Sequence, residues 1–289
     1  MGISQGLFKS SDGTTLFYEV QGEGKPLVFC YGLTCRREHW HHQVAHFSKK
    51  YQIITFDYRG HHNSSRPSND QHLTLDWCAQ DLVDLFRHLQ LKETVVLGHS
   101  LGVSILSKFI PKLQENIKGA VFICGSVTNP FEHMFHSNRM SRVHSLTSLI
   151  NDQAPTLMAY LWQKFTEKNR LSYLMTSRLG FNASTAQEQD VLNYIEGVNR
   201  TPFSIFHSLI SDYARYDGRS ALKDVSCPTL ILAGEEDHIT PYSLQEEMAE
   251  LIPLGQLVKI PGGSHNAHMD YPEKVNLSID AFLNDLDFK

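Results

Sequence analysis

Apolar positions along this chain follow two different rhythms. Short unbroken runs at Leu27-Val28-Phe29-Cys30-Tyr31, Gln52-Ile53-Ile54-Thr55-Phe56-Asp57, Thr94-Val95-Val96-Leu97 and residues 119–124 predict strands covered on both faces. Between them apolar residues recur at helical spacing. The helix opening at Thr74-Leu75-Asp76-Trp77 carries Leu75, Cys78, Leu82, Leu85, Phe86 and Leu89 on one stripe, and further helices are predicted over residues 38–49 and 103–114. Residues 6–20 predict two strands joined at Ser11-Asp12-Gly13, an Asp-Gly hairpin signal. The alternation breaks off near residue 130. Up to residue 213 only helical segments appear, rich in aromatics, Leu and Met. It then resumes with Cys227-Pro228-Thr229-Leu230-Ile231-Leu232-Ala233, a helix over 243–251, a strand over 256–260 and a closing helix. The pattern predicts an α/β fold: a mostly parallel eight-stranded sheet with helices on both faces. Its core comprises residues 1–129 and 214–289, interrupted by a helical cap over 130–213.

The strand at Thr94 runs straight into Gly98-His99-Ser100-Leu101-Gly102, and a helix follows. Such an abrupt strand-to-helix turn holds the serine in a tight, strained conformation with its hydroxyl projecting at the helix N-terminus. Free N–H groups there point at any negative charge that develops nearby. Two later strands end in Gly234-Glu235-Glu236-Asp237-His238-Ile239-Thr240-Pro241 and in Gly262-Gly263-Ser264-His265. Open α/β sheets carry ligands beyond the carboxyl ends of their strands, so Asp237 and His265 are expected near Ser100. The residue types suit nucleophilic catalysis. A serine hydroxyl needs an imidazole to take its proton, and a carboxylate holds that imidazole in the useful tautomer. His268 is the rival base and Glu235 and Glu236 the rival acids; the tight glycine loop before residue 265 favours His265.

Composition narrows the setting. A chain of 289 residues, 41% hydrophobic and 20% charged, suits one substantial globular domain with an insertion. With 26 basic and 31 acidic residues and a net charge of −5, neither a nucleic-acid groove nor a polybasic membrane patch is expected. No run is apolar for long enough to span a membrane. The first residues lack the basic and apolar regions of a secretory signal, and Gly6 occupies the position where a myristoylation site needs Ser or Thr. The five cysteines, Cys30, Cys35, Cys78, Cys124 and Cys227, show no Cys-x-x-Cys spacing, so reduced, inert thiols and a cytoplasmic location are expected. Among sixteen histidines, His39, His41, His42 and His46 cluster on one predicted surface helix. No Cys or carboxylate stands among them at ligand spacing, so the expectation is a solvated face and no metal or other cofactor.

Taken together, Tyr31-Gly32, Asp57-Tyr58-Arg59-Gly60-His61, the Ser100 turn, residues 234–241 and residues 262–272 resemble the cap-bearing α/β-hydrolases. That superfamily includes esterases, lipases, proline iminopeptidases and carbon–carbon bond hydrolases. The resemblance spans nearly the whole chain. It implies Ser100 as nucleophile, Asp237 as acid and His265 as base, with the backbone N–H groups of Leu33 and Leu101 as the oxyanion hole. Three positions depart from the family pattern: Tyr31 stands where a histidine is usual, and His62 and Val103 where glycine is common. Tyr31, His99, Trp162 and His268 are the expected substrate contacts. Most of the aromatics and methionines of the helical insertion are expected to pack, a few facing the serine. The implied activity is hydrolysis of a small, largely apolar ester or related carbonyl substrate through an acyl-enzyme. Acyl transfer, perhydrolysis, carbon–carbon cleavage and a ligand-receptor role on the same fold stay open, as does the oligomeric state.

Overall fold

The computed structural model describes residues 2–288. One sheet of eight strands runs through the molecule in the order β1-β2-β4-β3-β5-β6-β7-β8. β1 (Ile3–Lys9) and β2 (Thr15–Gln21) form the predicted hairpin, with β1 beginning earlier than the alternation suggested. β2 also pairs antiparallel with β4 (Gln52–Phe56); every other pairing is parallel. These join β3 (Pro26–Cys30), β5 (Thr94–His99), β6 (Ile117–Ile123), β7 (Thr229–Gly234) and β8 (Gly255–Ile260). Strands β5 and β7 are buried at every position, which is why their sequences read as continuous apolar runs rather than as alternation.

The connecting helices of the sheet domain are α1 (His41–Phe47), α2 (Leu75–Leu89), α3 (Leu101–Phe109), α9 (Arg219–Lys223), α10 (Tyr242–Leu251), α11 (Ala267–Asp270) and α12 (Pro272–Asp285). The helix expected over 38–49 is split into a 3-10 turn, Arg37–Trp40, and α1. The helix after Ser100 ends at Phe109 rather than 114 and passes into 3-10 turns; Pro111, which has no N–H to donate, lies in the first of them.

Between β6 and β7 lie only helices: 3-10 turns, then α4 (Arg139–Gln153), α5 (Pro155–Thr166), α6 (Arg170–Leu179), α7 (Glu188–Arg200) and α8 (Phe203–Tyr213). The last two fasten this insertion to the sheet domain. Ile205, Leu209 and Tyr213 of α8 join the main core, and the Tyr213 hydroxyl donates to the Ser126 carbonyl at 2.9 Å. Val191 and Ile195 of α7 form a smaller cluster with Phe181 and with Met269 of α11. The packing expected of the insertion's aromatics is met at Phe181 and Phe203, whereas Tyr160 and Phe165 are more than half exposed.

The histidine-rich segment is not simply a solvated face. His39 is buried against Tyr194 of α7, and His46 Nε2 lies 2.6 Å from an Asp280 carboxylate oxygen. His41 and His42 both approach Asp190, a carboxylate supplied by α7 and invisible to any local spacing rule.

Candidate active site

Strand order decides where the site lies. The chain passes from β3 outward to β4, then returns to lay β5 against the other side of β3, so the order reverses between β3 and β5. A crevice opens at such a reversal. Cys30 and Gly98 are register partners there, which brings the loop after β3 beside the turn after β5.

That turn carries Ser100 at φ 53° and ψ −119°, a left-handed conformation for a residue with a Cβ. Backbone of this kind costs on the order of 1–3 kcal/mol and persists only where the surroundings enforce it. The enforcement is visible on both sides. Ser100 N–H donates to the Ile123 carbonyl of β6 at 3.1 Å. A Cβ on Gly102 would collide with the Cys30 carbonyl oxygen, and one on Gly98 would stand 3.0 Å from the Gly102 carbonyl. Strand and helix can therefore cross only where both positions are glycine.

The loops after β7 and β8 deliver the other two groups. His265 Nε2 lies 2.9 Å from Ser100 Oγ, and His265 Nδ1 lies 3.2 and 3.1 Å from the two Asp237 carboxylate oxygens. An ionised carboxylate can only accept, so Nδ1 carries the proton and Nε2 presents its lone pair to the serine hydroxyl. Asp237 is fully buried. Burial alone would raise its pKa, but the charge and hydrogen bond of His265 and the Thr240 donors outweigh it and hold the carboxyl below its ordinary value. The Thr240 donors are its N–H at 2.9 Å and its hydroxyl at 2.8 Å; the Ile239 N–H also reaches the carboxylate at 2.9 Å.

Leu101 is the first residue of α3, where a backbone N–H has no carbonyl one turn earlier to meet. Leu33 follows Gly32, where a Cβ would stand 3.1 Å from Ser100 Cβ, so the Gly32 backbone runs close beside the serine. Serine, imidazole and carboxylate are thus in mutual contact at the carboxyl end of the sheet.

The expected substrate contacts are placed differently. Tyr31 is buried: its hydroxyl donates to Asp57 Oδ1 at 3.3 Å and accepts from Tyr58 N–H at 3.0 Å, while the Tyr58 hydroxyl returns to the Tyr31 carbonyl at 2.8 Å. The residue that replaces the usual histidine therefore ties β3 to the loop after β4 and offers no surface to a ligand. His99 and His268 are also buried, their rings 4.4 Å apart. His99 donates through Nε2 to the His265 carbonyl at 2.9 Å. Burial first, and the neighbouring His265 second, push its pKa down to about 3, so it stays neutral. Trp162 stacks on Phe206 with centroids 4.4 Å apart, donates to the Thr201 carbonyl at 3.0 Å, and lines a cavity within the insertion. His62 occupies its glycine-like position at φ 44°, with Nε2 2.8 Å from the Cys35 carbonyl.

Several supporting residues went unread in the sequence. Asp270 accepts from Ser264 N–H at 3.1 Å and from the Ser264 hydroxyl, and from Asn182 N–H of the insertion at 3.1 Å, bracing the loop that carries His265. Burial raises its pKa to about 6 against the lowering effect of these donors. Thr240, three residues after Asp237, was legible in principle, since a carboxylate that collects nearby backbone N–H groups is a known turn device. Asp270 had no such signal.

The comparisons with known proteins agree with this architecture. The profile of the alpha/beta hydrolase fold matches residues 25–272, and the chain belongs to that family of enzymes. It is 27% identical over 285 residues to (E)-2-((N-methylformamido)methylene)succinate hydrolase of Acinetobacter baylyi, covering 97% of this chain and 98% of that protein. It is 26% identical over 289 residues to the bifunctional esterase/perhydrolase DCH of Acinetobacter calcoaceticus, covering 96% and 99%. The fold superposes on a thermophilic esterase from Thermogutta terrifontis with a TM-score of 0.78 at 22% identity, covering 98% of this chain and 99% of that one. Among the described residues no helix is long and apolar enough to cross a membrane.

Proposed function

We propose that the protein is a serine hydrolase acting on a small, largely apolar ester or related carbonyl compound. The observation that carries this reading is the continuous contact from Ser100 Oγ through both ring nitrogens of His265 to Asp237. In this mechanism Ser100 attacks the carbonyl carbon as His265 takes its proton. The oxyanion is held by the N–H groups of Leu33 and Leu101. The imidazolium, stabilised by Asp237, then protonates the leaving group. Water activated by the same imidazole releases the acyl group and restores the serine.

The helical insertion is read as a cap over this site. An apolar preference rests on the richness of that insertion in aromatics, Leu and Met. All five cysteines are free and buried, which supports a reducing compartment such as the cytoplasm. The decisive experiment is turnover of p-nitrophenyl esters graded by acyl length, by the wild type and by Ser100→Ala. Activity should fall by several orders of magnitude in the variant, and a fluorophosphonate probe should label only the wild type. Equal turnover in the two proteins would remove the mechanism.

A second acceptor is worth testing because one relative is named for both esterase and perhydrolase activities. The same acyl-enzyme would then pass its acyl group to hydrogen peroxide instead of water. Partition of products between acid and peracid, with peroxide present, separates the two outcomes.

A further inference from the structure

We propose that His41, His42 and Asp190 form a divalent-metal site that fastens the helical insertion to the sheet domain. The two histidines open α1, and Asp190 lies in the first turn of α7, 148 residues further along. Adjacent helical residues usually diverge, yet these two rings are turned together with centroids 3.8 Å apart. His41 Nε2 is 3.3 Å from one Asp190 oxygen and His42 Nε2 is 3.0 Å from the other, and the three ligand atoms all lie within 4.8 Å of one another. A tetrahedral zinc site with ligand bonds of about 2.0–2.2 Å has ligand-to-ligand edges of about 3.4 Å. The two histidine–carboxylate edges, 3.3 and 3.0 Å, are therefore already close to that length.

The hydrogen bonding of His41 suits a ligand role. His41 Nδ1 lies 2.9 Å from the Glu38 carbonyl oxygen, which only accepts, so Nδ1 carries a proton. That leaves Nε2 as the ring atom facing the carboxylate oxygen. Two acceptors at that distance repel unless a proton or a metal cation stands between them. Donation from one ring nitrogen to a backbone carbonyl, leaving the other nitrogen for the metal, is the usual arrangement of a metal-binding histidine. The Asp190 side chain is only 1% exposed, and a carboxylate so buried requires positive charge beside it. His41, at 41% side-chain exposure, leaves the site open to solvent, where a water can complete the coordination. Two imidazoles and one carboxylate suit Zn²⁺ or Co²⁺ better than Mg²⁺ or Ca²⁺, which prefer oxygen ligands.

The position gives such a metal something to do. Around Asp190, α7 meets the segment leading into α1 through an Arg36–Glu196 ion pair at 3.0 Å, a His39–Tyr194 ring contact and the close approach of Gly197 to the Thr34 carbonyl. A cation bound here would staple these surfaces together whether or not the hydrolase reading holds.

The test uses the full untagged chain, stripped with chelator and titrated with Zn²⁺ by calorimetry and with Co²⁺ by its visible absorption. The expected result is a single strong site, tetrahedral-type Co²⁺ absorption, and a Zn²⁺-dependent rise in Tm. His42→Ala and Asp190→Asn should each weaken binding about tenfold or more and abolish the Tm response. Should Asp190→Asn fail to fold, His41→Ala at the exposed ligand gives the same readout. Absence of strong binding in the wild type overturns the proposal, as does binding unchanged in the variants, which would assign it to other histidines. A Tm that responds to pH in the wild type but not to either metal would also overturn it, leaving a proton between histidine and carboxylate.

Discussion

Strand β5 buries all six of its residues, whereas the much longer α4 buries none of its fifteen. The contrast extends to their neighbours. Eight of the nine residues of α3 are buried, while α5 buries only Thr166 and α6 only Ser172 and Ser177. The insertion does not lack apolar residues. Leu146, Leu149, Leu157, Phe165 and Leu171 are all about half exposed or more, Leu171 at 61%. In the sheet domain, side chains interlock from both faces, so the local backbone must conform even where it is strained, as at Ser100. The outer helices of the insertion rely more on local devices. Asn169 caps α6 by accepting from Leu171 and Ser172 N–H, and the Ser172 hydroxyl completes the capping box. Dense packing around the Ser100 turn and sparse packing along the outer helices thus occupy different parts of one chain.

The comparison can be broken most directly by activity. Ser100→Ala should lower kcat/KM toward a p-nitrophenyl ester by about 10³-fold or more, while Phe165→Ala in α5 should change it by less than about tenfold. Similar losses in the two variants, measured by steady-state kinetics, would erase the functional distinction between the densely packed Ser100 turn and the outer helices. Stability should divide in the same way. Leu106→Ala, deep in α3, should cost about 2–5 kcal/mol in urea unfolding. Leu171→Ala should stay within about 0.5 kcal/mol. A large loss at Leu171 would indicate that its face is covered in solution.

A smaller effect tests the seam between the two regions, where Asp270 receives donors from both. Its carboxyl is raised to about 6 in the folded protein. A raised folded pKa favours the protonated form, so the associated stability is fully present below the unfolded value near 4 and is lost as pH rises through about 6. The difference in unfolding free energy between wild type and Asp270→Asn should therefore shift across that window, by at most about 3 kcal/mol. A constant difference from pH 4 to 7 would show that this carboxyl is not held protonated by its surroundings.

Much of the architecture was legible because its causes are local. Continuous apolar runs mark strands covered on both faces, and the break in alternation after β6 marks the insertion. Gly98 and Gly102 mark a strand and helix crossing at close range. Asp237 and His265 could be placed because parallel strands deliver their following loops to one end of the sheet. The fate of Tyr31 was hidden, since its partners belong to the loop after a neighbouring strand. His99 and His268 were hidden for the same reason: whether a histidine lines a pocket or lies beneath it depends on what packs over it.

What the sequence determined by itself, then, is the order of elements, the strained turn, and the set of side chains that can meet at the strand ends. These follow from periodicity, turn chemistry and sheet topology, all of which act over short stretches or through general rules of connection. Only the tertiary structure decided which polar residues face one another across long separations: Asp270 beneath the His265 loop, Tyr31 against Asp57, and Asp190 between His41 and His42. The physical reason is that hydrogen bonds and ligand geometry are settled within a few ångströms, and over 148 residues of chain no local pattern encodes such a distance.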